Sequence, residues 1–217
     1  MDDNGQDPGH LSRRERTRQQ HREEILSAAT GLFARHGYDG TSMQMIADQA
    51  EISVGKLYLH FEGKEDIYRE IAEYHAGKMR AMANEASDPS MPPIERIRMR
   101  NRAVTRYLDE NADFVRFYVS EMEGMGKCAR CEDDSDHKTH FSEISDLFRE
   151  AIERGDIPDE DPDILTAMIH GAGHGLIASV VERGTMQFVE IADCIDRLIL
   201  KPLEDRKLEE KRKEGGG

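Results

Sequence analysis

The stretch from Thr41 to Gly63 has room for two short helices and the turn between them, and for nothing longer. Thr41 and Gln44 stand at capping-box spacing, which predicts a helix from there to about Ala50. Glu51-Ile52-Ser53 then makes a tight connection, with Ser53 placed to cap a further helix ending at His60 or Phe61, and Gly63 closes it. Upstream, Ile25, Ala28, Ala29, Leu32 and Phe33 recur at helical spacing as far as Gly37, predicting a first helix over 14–36. Downstream, a fourth helix is expected from Lys64 to Ala86, where Glu65 and Asp66 suit the positive end of the helix dipole.

Short helices joined by a brief turn form a helix-turn-helix, whose later helix enters the DNA major groove. Ile46, Ala47, Ala50, Ile52, Leu57 and Phe61 supply a small core, which leaves Val54, Gly55, Lys56, Tyr58, Leu59 and His60 to face outward. A Tyr, a Lys and a His exposed together on so short a helix call for a partner outside the chain; a protein-contact module is the competing explanation.

The chain carries a net charge of -14, which rules out diffuse attraction to phosphate or to an anionic membrane. Its distribution is uneven. From His10 to Lys64 there are eight Lys and Arg against seven Asp and Glu, and Arg13, Arg14, Arg16, Arg18 and Arg22 make a basic arm opposed only by Glu15. Such an arm is either a solvated tail or a source of phosphate and minor-groove contacts. No apolar run is read as reaching the roughly 18 residues needed to span a bilayer, and the start lacks a signal peptide, so a soluble cytoplasmic protein with no membrane partner is expected.

The segment from Ser87 to Pro93 breaks helical periodicity. Beyond it, helices are predicted over 93–109, 111–125, 139–154, 162–183 and 187–206, with Asp161 as N-cap and Pro162 in the first helical position. The fold class is all-α: residues 1–13 form a disordered, basic-flanked arm, 14–64 the helix-turn-helix domain, 65–206 a helical body, and 207–217 a charged disordered tail.

The run from Thr41 to Ile67, with Ala28 to Tyr38 before it, resembles the DNA-binding domain of the TetR family. The resemblance implies a dimeric regulator, most often a repressor, that occupies double-stranded operator DNA and leaves it when a small-molecule or metal effector enters the body. It implies phosphate contacts at Thr41, Ser42, Tyr58 and Lys64, and base or groove-wall contacts at Gln44, Val54, Gly55, Lys56, Leu59 and His60. Glu51 departs from the pattern, because the family often has Gly in the interhelical turn; a positive φ there would strain Glu. The last two long helices would form the homodimer interface, using Gly171, Gly175, Ile177, Val181, Ile191, Ile195 and Leu198.

In the body, Phe114, Phe117, Tyr118 and Met122 share a helical face and Met168 adds apolar surface, so these residues are core, the wall of an apolar effector pocket, or both. The helix holding His170-Gly171-Ala172-Gly173-His174-Gly175 has glycines that each cost about 1 kcal/mol relative to Ala, which a close helix contact would justify. His170 and His174, at i and i+4, share one face and are a further metal-binding pair to consider.

Cys128 and Cys131 with His137 and His140 carry the donor atoms of a tetrahedral zinc or other transition-metal site, although the spacing is tighter than in a zinc finger. An inert acidic loop and a redox pair are the other two readings. No cofactor is otherwise required. A helical metalloenzyme is the rival class, but the chain lacks an evident nucleophile, a phosphate-cradling loop or a paired acid and base, so it is read as a regulator and not as an enzyme.

Overall fold

The computed structural model describes residues 13–120, 122–123, 127–128, 135–183 and 187–214, and they divide into two compact units, Met1–Glu70 and Ile71–Gly217. The division falls inside a helix, not at the expected boundary after residue 64.

In the first unit, α1 (Arg13–His36) ends where Gly37 takes φ 70° and its N–H returns to the Phe33 carbonyl at 2.9 Å. α2 (Met43–Gln49) and α3 (Val54–Tyr58) follow, and α4 (Lys64–Ala86) begins. Helices of seven and five residues cannot sustain themselves in water, so caps and burial must hold them. Ser42, not Thr41, caps α2, its Oγ accepting from the Met45 N–H. Thr41 instead donates its hydroxyl to the Gly37 carbonyl, and Gln44 donates to Asp48 at 2.7 Å, so the expected capping box does not form. Ser53 caps α3 as predicted, accepting from the Lys56 N–H.

The core of this unit is Ile25, Ala29, Leu32, Phe33, Ile46, Ala47, Leu57, Phe61, Ile67 and Tyr68, while Ala50 and Ile52 are only half-buried. Tyr38 stacks on Phe33 and meets Tyr68 edge-on. Arg22 lies 4.3 Å over the Phe61 ring, donates to the His60 carbonyl and holds Glu70 through two nitrogens, so it is a strut of the unit rather than part of a solvated arm.

The second unit is built from the rest of α4 with α5 (Pro93–Glu110), α6 (Ala112–Ser120), α7 (Ser135–Glu153), α8 (Pro162–Arg183), α9 (Val189–Ile195) and α10 (Lys201–Glu214). Asp161 caps α8 by accepting from the Asp163 and Ile164 N–H groups, and Pro162 opens it. Gly155, at φ 69°, ends α7 with the Asp156 N–H on the Ala151 carbonyl. Where a helix to residue 125 was expected, α6 stops at Ser120 and two-residue strands pair Met122 with Cys128 and Glu123 with Lys127.

The last expected helix is also divided. A π-helical turn, Asp196–Leu200, separates α9 from α10, and the Lys201 N–H reaches back to the Asp196 carbonyl. Pro202 explains the break, since it has no N–H for the Leu198 carbonyl and its ring would press on it. Arg98 clamps this turn, pairing with Glu95, Asp196 and Glu204. α10 then runs to Glu214, so residues 207–214 are helical and not the disordered tail expected from their charge. Buried Leu203 and the Lys201–Asp205, Lys207–Glu210 and Arg206–Glu160 pairs support it.

Candidate functional sites

In the first unit, the geometry of α3 decides what faces out. Leu57 is wholly buried and fixes the helix by one side, which turns Tyr58 (54% exposed) and Leu59 (76%) to solvent. Two large apolar groups are thus left uncovered beside Gly55, which has open space around it. Ser42 and Gln44 are exposed at the start of α2, and Val54, Lys56 and His60 are half-buried.

Two predicted contacts are reassigned. Thr41 is 2% exposed with its hydroxyl turned inward, so its side chain has no surface to offer a phosphate. Lys64 donates to the Tyr38 carbonyl and, at 2.8 Å, to the Thr41 carbonyl, with its ammonium 4.1 Å over the Tyr38 ring. It fastens the turn that precedes α2.

A second group at this surface comes from a distant part of the chain, with no local spacing to mark it. His21 of α1 stands with Nε2 3.2 Å from Lys56 Nζ, and its ring meets that of His60 edge-on at 6.2 Å. Burial, followed by the charges of Arg18, His21, Arg22 and Lys56, holds the His60 imidazole below the usual histidine range. His60 Nδ1 is buried without a hydrogen-bond partner. Arg18, Arg22 and Lys56 thus stand close enough to His60 to bear on its charge. Glu51 takes φ 55°, the left-handed conformation considered for it, and the Ile52 N–H bonds to the Ala47 carbonyl around it.

The second unit holds a cavity of about 220 Å³ lined from α4 to α9. Phe114 and Tyr118 line it. Phe117 is buried in the core beside Phe114, Met168 points to solvent, and the Met122 side chain lies outside the described residues. Ile177, Ile191 and Ile195 also line the cavity, and burial of the last two within the chain removes them from any intersubunit surface. His140, His170 and His174 line it too, with His140 stacked on His170 at 5.1 Å and the Tyr118 hydroxyl 3.4 Å from His174 Nε2. The α8 histidines therefore face a cavity, not a helix contact. Behind the wall, buried His75 stacks on Phe114 at 3.7 Å and meets the Tyr107 hydroxyl at 2.7 Å; burial pushes its imidazole down to about 4.

Of the Cys/His set, Cys131 lies outside the described residues, Cys128 and His137 are described only in their backbone, and His140 belongs to the cavity. Among the described residues, no group of three or more His, Cys, Asp or Glu is arranged to hold a metal ion.

Gly171 and Gly175 lie on an exposed face of α8 with Ile164 and Met168, spaced four, three and four residues apart; Leu198 is also exposed and Val181 half-buried. Contrary to the sequence reading, α8 is long and apolar enough to cross a membrane, yet only 22% of its apolar window is buried within the chain.

Comparison with known proteins agrees with both units. Residues 25–71 match the family described as bacterial regulatory proteins, tetR family, and residues 90–203 match the tetracyclin repressor-like C-terminal domain. The chain is 29% identical over 155 residues to the uncharacterized HTH-type transcriptional regulator YhgD of Bacillus subtilis, covering 67% of this chain and 75% of that one. It is 25% identical over 158 residues to the HTH-type transcriptional repressor DhaR of a Mycobacterium species, covering 72% and 80%. Among solved structures, the fatty acid degradation regulator FadR of Bacillus halodurans superposes with a TM-score of 0.72 at 19% identity, over 82% of this chain and 94% of that one.

Proposed function

The chain belongs to the TetR family of bacterial regulatory proteins, and from that membership we propose that it is a cytoplasmic homodimer that binds operator DNA through α3 and leaves it when an effector fills the α4–α9 cavity. The observation that carries this reading is the exposure of Tyr58 and Leu59, with half-buried Lys56 beside them, at the end and C-cap of a five-residue helix whose inner side is locked by Leu57.

Ser42 and Tyr58 are assigned to phosphates, where they set register. Gln44, Val54, Gly55, Lys56, Leu59 and His60 are assigned to base edges and groove walls, where sequence is read. Thr41 and Lys64 act one step back, by holding the turn from Tyr38 to Ser42. The exposed α8 face of Ile164, Met168, Gly171 and Gly175 is assigned to the dimer, since an apolar helix with so little cover needs a partner. Effector and operator then oppose each other reciprocally, as linked equilibria require.

Selection of duplexes from a randomised pool, followed by fluorescence anisotropy and sedimentation velocity, tests the proposal. An enriched, two-fold-symmetric site bound by two chains is expected. Enrichment of no sequence over bulk DNA would overturn it. Met168→Glu is expected to shift the chain to monomer and weaken operator binding together.

A further inference from the structure

The stripe of α5 that lines the cavity carries one residue out of keeping with it. Asn101, Val104, Thr105 and Leu108 fall at i, i+3, i+4 and i+7, and all four line the cavity. The Thr105 hydroxyl is engaged within the helix, by the Asn101 and Arg102 carbonyls. Asn101 Nδ2, by contrast, is buried with no hydrogen-bond acceptor. A buried amide donor left unmet is destabilising, and a leucine at this place in the stripe would avoid it. Resting on the reading of this cavity as the effector site, we propose that it takes a compact, neutral, apolar molecule bearing a hydrogen-bond-accepting oxygen, as a ketone or an ester does, and that Asn101 Nδ2 donates to that oxygen.

Charge on the ligand is disfavoured in either sign. The chain has 44 Asp and Glu, yet none is among the described residues that line the cavity, so a cation would leave water with no carboxylate to meet it. Arg80 and the three histidines of the lining already have partners within the chain, and an anion would have to compete for them. A pure hydrocarbon suits Val104, Leu108, Ile169 and Ile177 but leaves the Asn101 donor unmet. A neutral oxygen acceptor meets that donor and brings no charge to be desolvated. At about 220 Å³ the cavity is smaller than the roughly 300–1,000 Å³ of pockets for drug-sized ligands, which keeps the molecule small.

Acetophenone and cumene have nearly the same shape, with the carbonyl oxygen of the first replaced by a methyl group in the second. A cycle of both probes on the wild-type chain and on Asn101→Leu therefore separates the hydrogen bond from the difference in hydrophobicity between the probes. By isothermal titration of the full chain, Asn101→Leu is expected to shift the ratio of acetophenone to cumene affinity toward cumene by about fivefold or more. Benzoate and benzylammonium are expected to bind more weakly than acetophenone at neutral pH. The infrared carbonyl stretch of bound acetophenone is expected to fall below its position in hexane, where no donor is present, and to return to that position in Asn101→Leu. Should the variant fail to fold, the stretch on the wild-type chain and the ranking of neutral against charged probes decide the question.

An unchanged affinity ratio in folded Asn101→Leu, a bound carbonyl stretch at its hexane position, a charged probe binding more tightly than acetophenone, or no saturable binding of acetophenone would each overturn the proposal. The same probes added to chain bound to labelled, selected operator keep the two readings apart. Intact operator binding with a failed cycle removes the acceptor-bearing ligand and leaves the regulator. The expected cycle without operator release leaves the Asn101 site and removes its role in effector sensing.

Discussion

The Met1–Glu70 and Ile71–Gly217 units use exposed apolar side chains in opposite ways. In the first, Tyr58 and Leu59 stand out from a helix held by a single buried leucine and a serine cap, so each α3 residue either anchors or contacts. In the second, long apolar helices send their side chains three ways: Phe117 into the core, Ile177 to the cavity, Met168 to solvent. Specific binding of a rigid duplex needs contacts fixed by local geometry. A cavity for a small molecule needs only a continuous wall, which many helices can share.

The contrast breaks most sharply at Leu57. Its truncation to Ala removes the buried anchor of α3 and is expected to cost about 2–5 kcal/mol. Operator binding should be lost while the Ile71–Gly217 unit stays folded, as read by anisotropy, urea unfolding and circular dichroism on one preparation. Loss of both would show that the units do not divide the work in this way.

A second difference concerns acid. His75 is held down to about 4, against about 6.5 for an exposed histidine. The unfolded chain therefore binds a proton, below about 6.5, that the folded chain refuses until about 4. Stability is retained above that window and falls as pH drops through it, by up to about 1.4 kcal/mol per pH unit. Urea midpoints taken between about pH 7 and pH 5 should fall further in the wild type than in His75→Phe. Equal slopes would show that His75 does not couple folding to pH.

At the α3 surface, Lys56→Ala should change preference at one base position by about 1–3 kcal/mol, whereas Ser42→Ala should weaken all duplexes alike. Because Lys56 Nζ meets His21 Nε2 at 3.2 Å, His21→Ala should blur preference at that same position. A panel of single-base operator variants distinguishes these outcomes, and uniform losses for all three would undo the sorting of contacts.

These differences also govern what could be read from the chain itself. Ser53, Gly37, Asp161 and Pro162 act locally, so their roles follow from neighbouring residues and hold in the structure. Apolar periodicity reports only that a face is covered. It could not distinguish Ile191 and Ile195, buried against the cavity, from Leu198, which is 64% exposed. The His21–Lys56 pairing spans 35 positions and the His140–His170 stack joins two helices, so neither leaves a local spacing to detect. Thr41 misled because Thr and Ser cap alike, and only the fold shows which of two adjacent hydroxyls faces the helix.

The smallest expected effect lies at Glu51, where the two kinds of constraint meet in one residue. It occupies the left-handed position that ends α2, with the Ile52 N–H on the Ala47 carbonyl and its own N–H on that of Asp48, a geometry that favours Gly. Glu51→Gly relieves that strain but frees the unfolded chain, for a net gain of about 0.5–1 kcal/mol. It also removes an exposed carboxylate beside the proposed DNA surface, whereas Glu51→Gln removes the charge and keeps the strain. If conformation dominates, Gly alone raises the urea midpoint; if charge dominates, Gly and Gln tighten operator binding equally, most at low salt. A midpoint that Gly leaves unchanged would mean that the surrounding turn absorbs the positive φ at no cost.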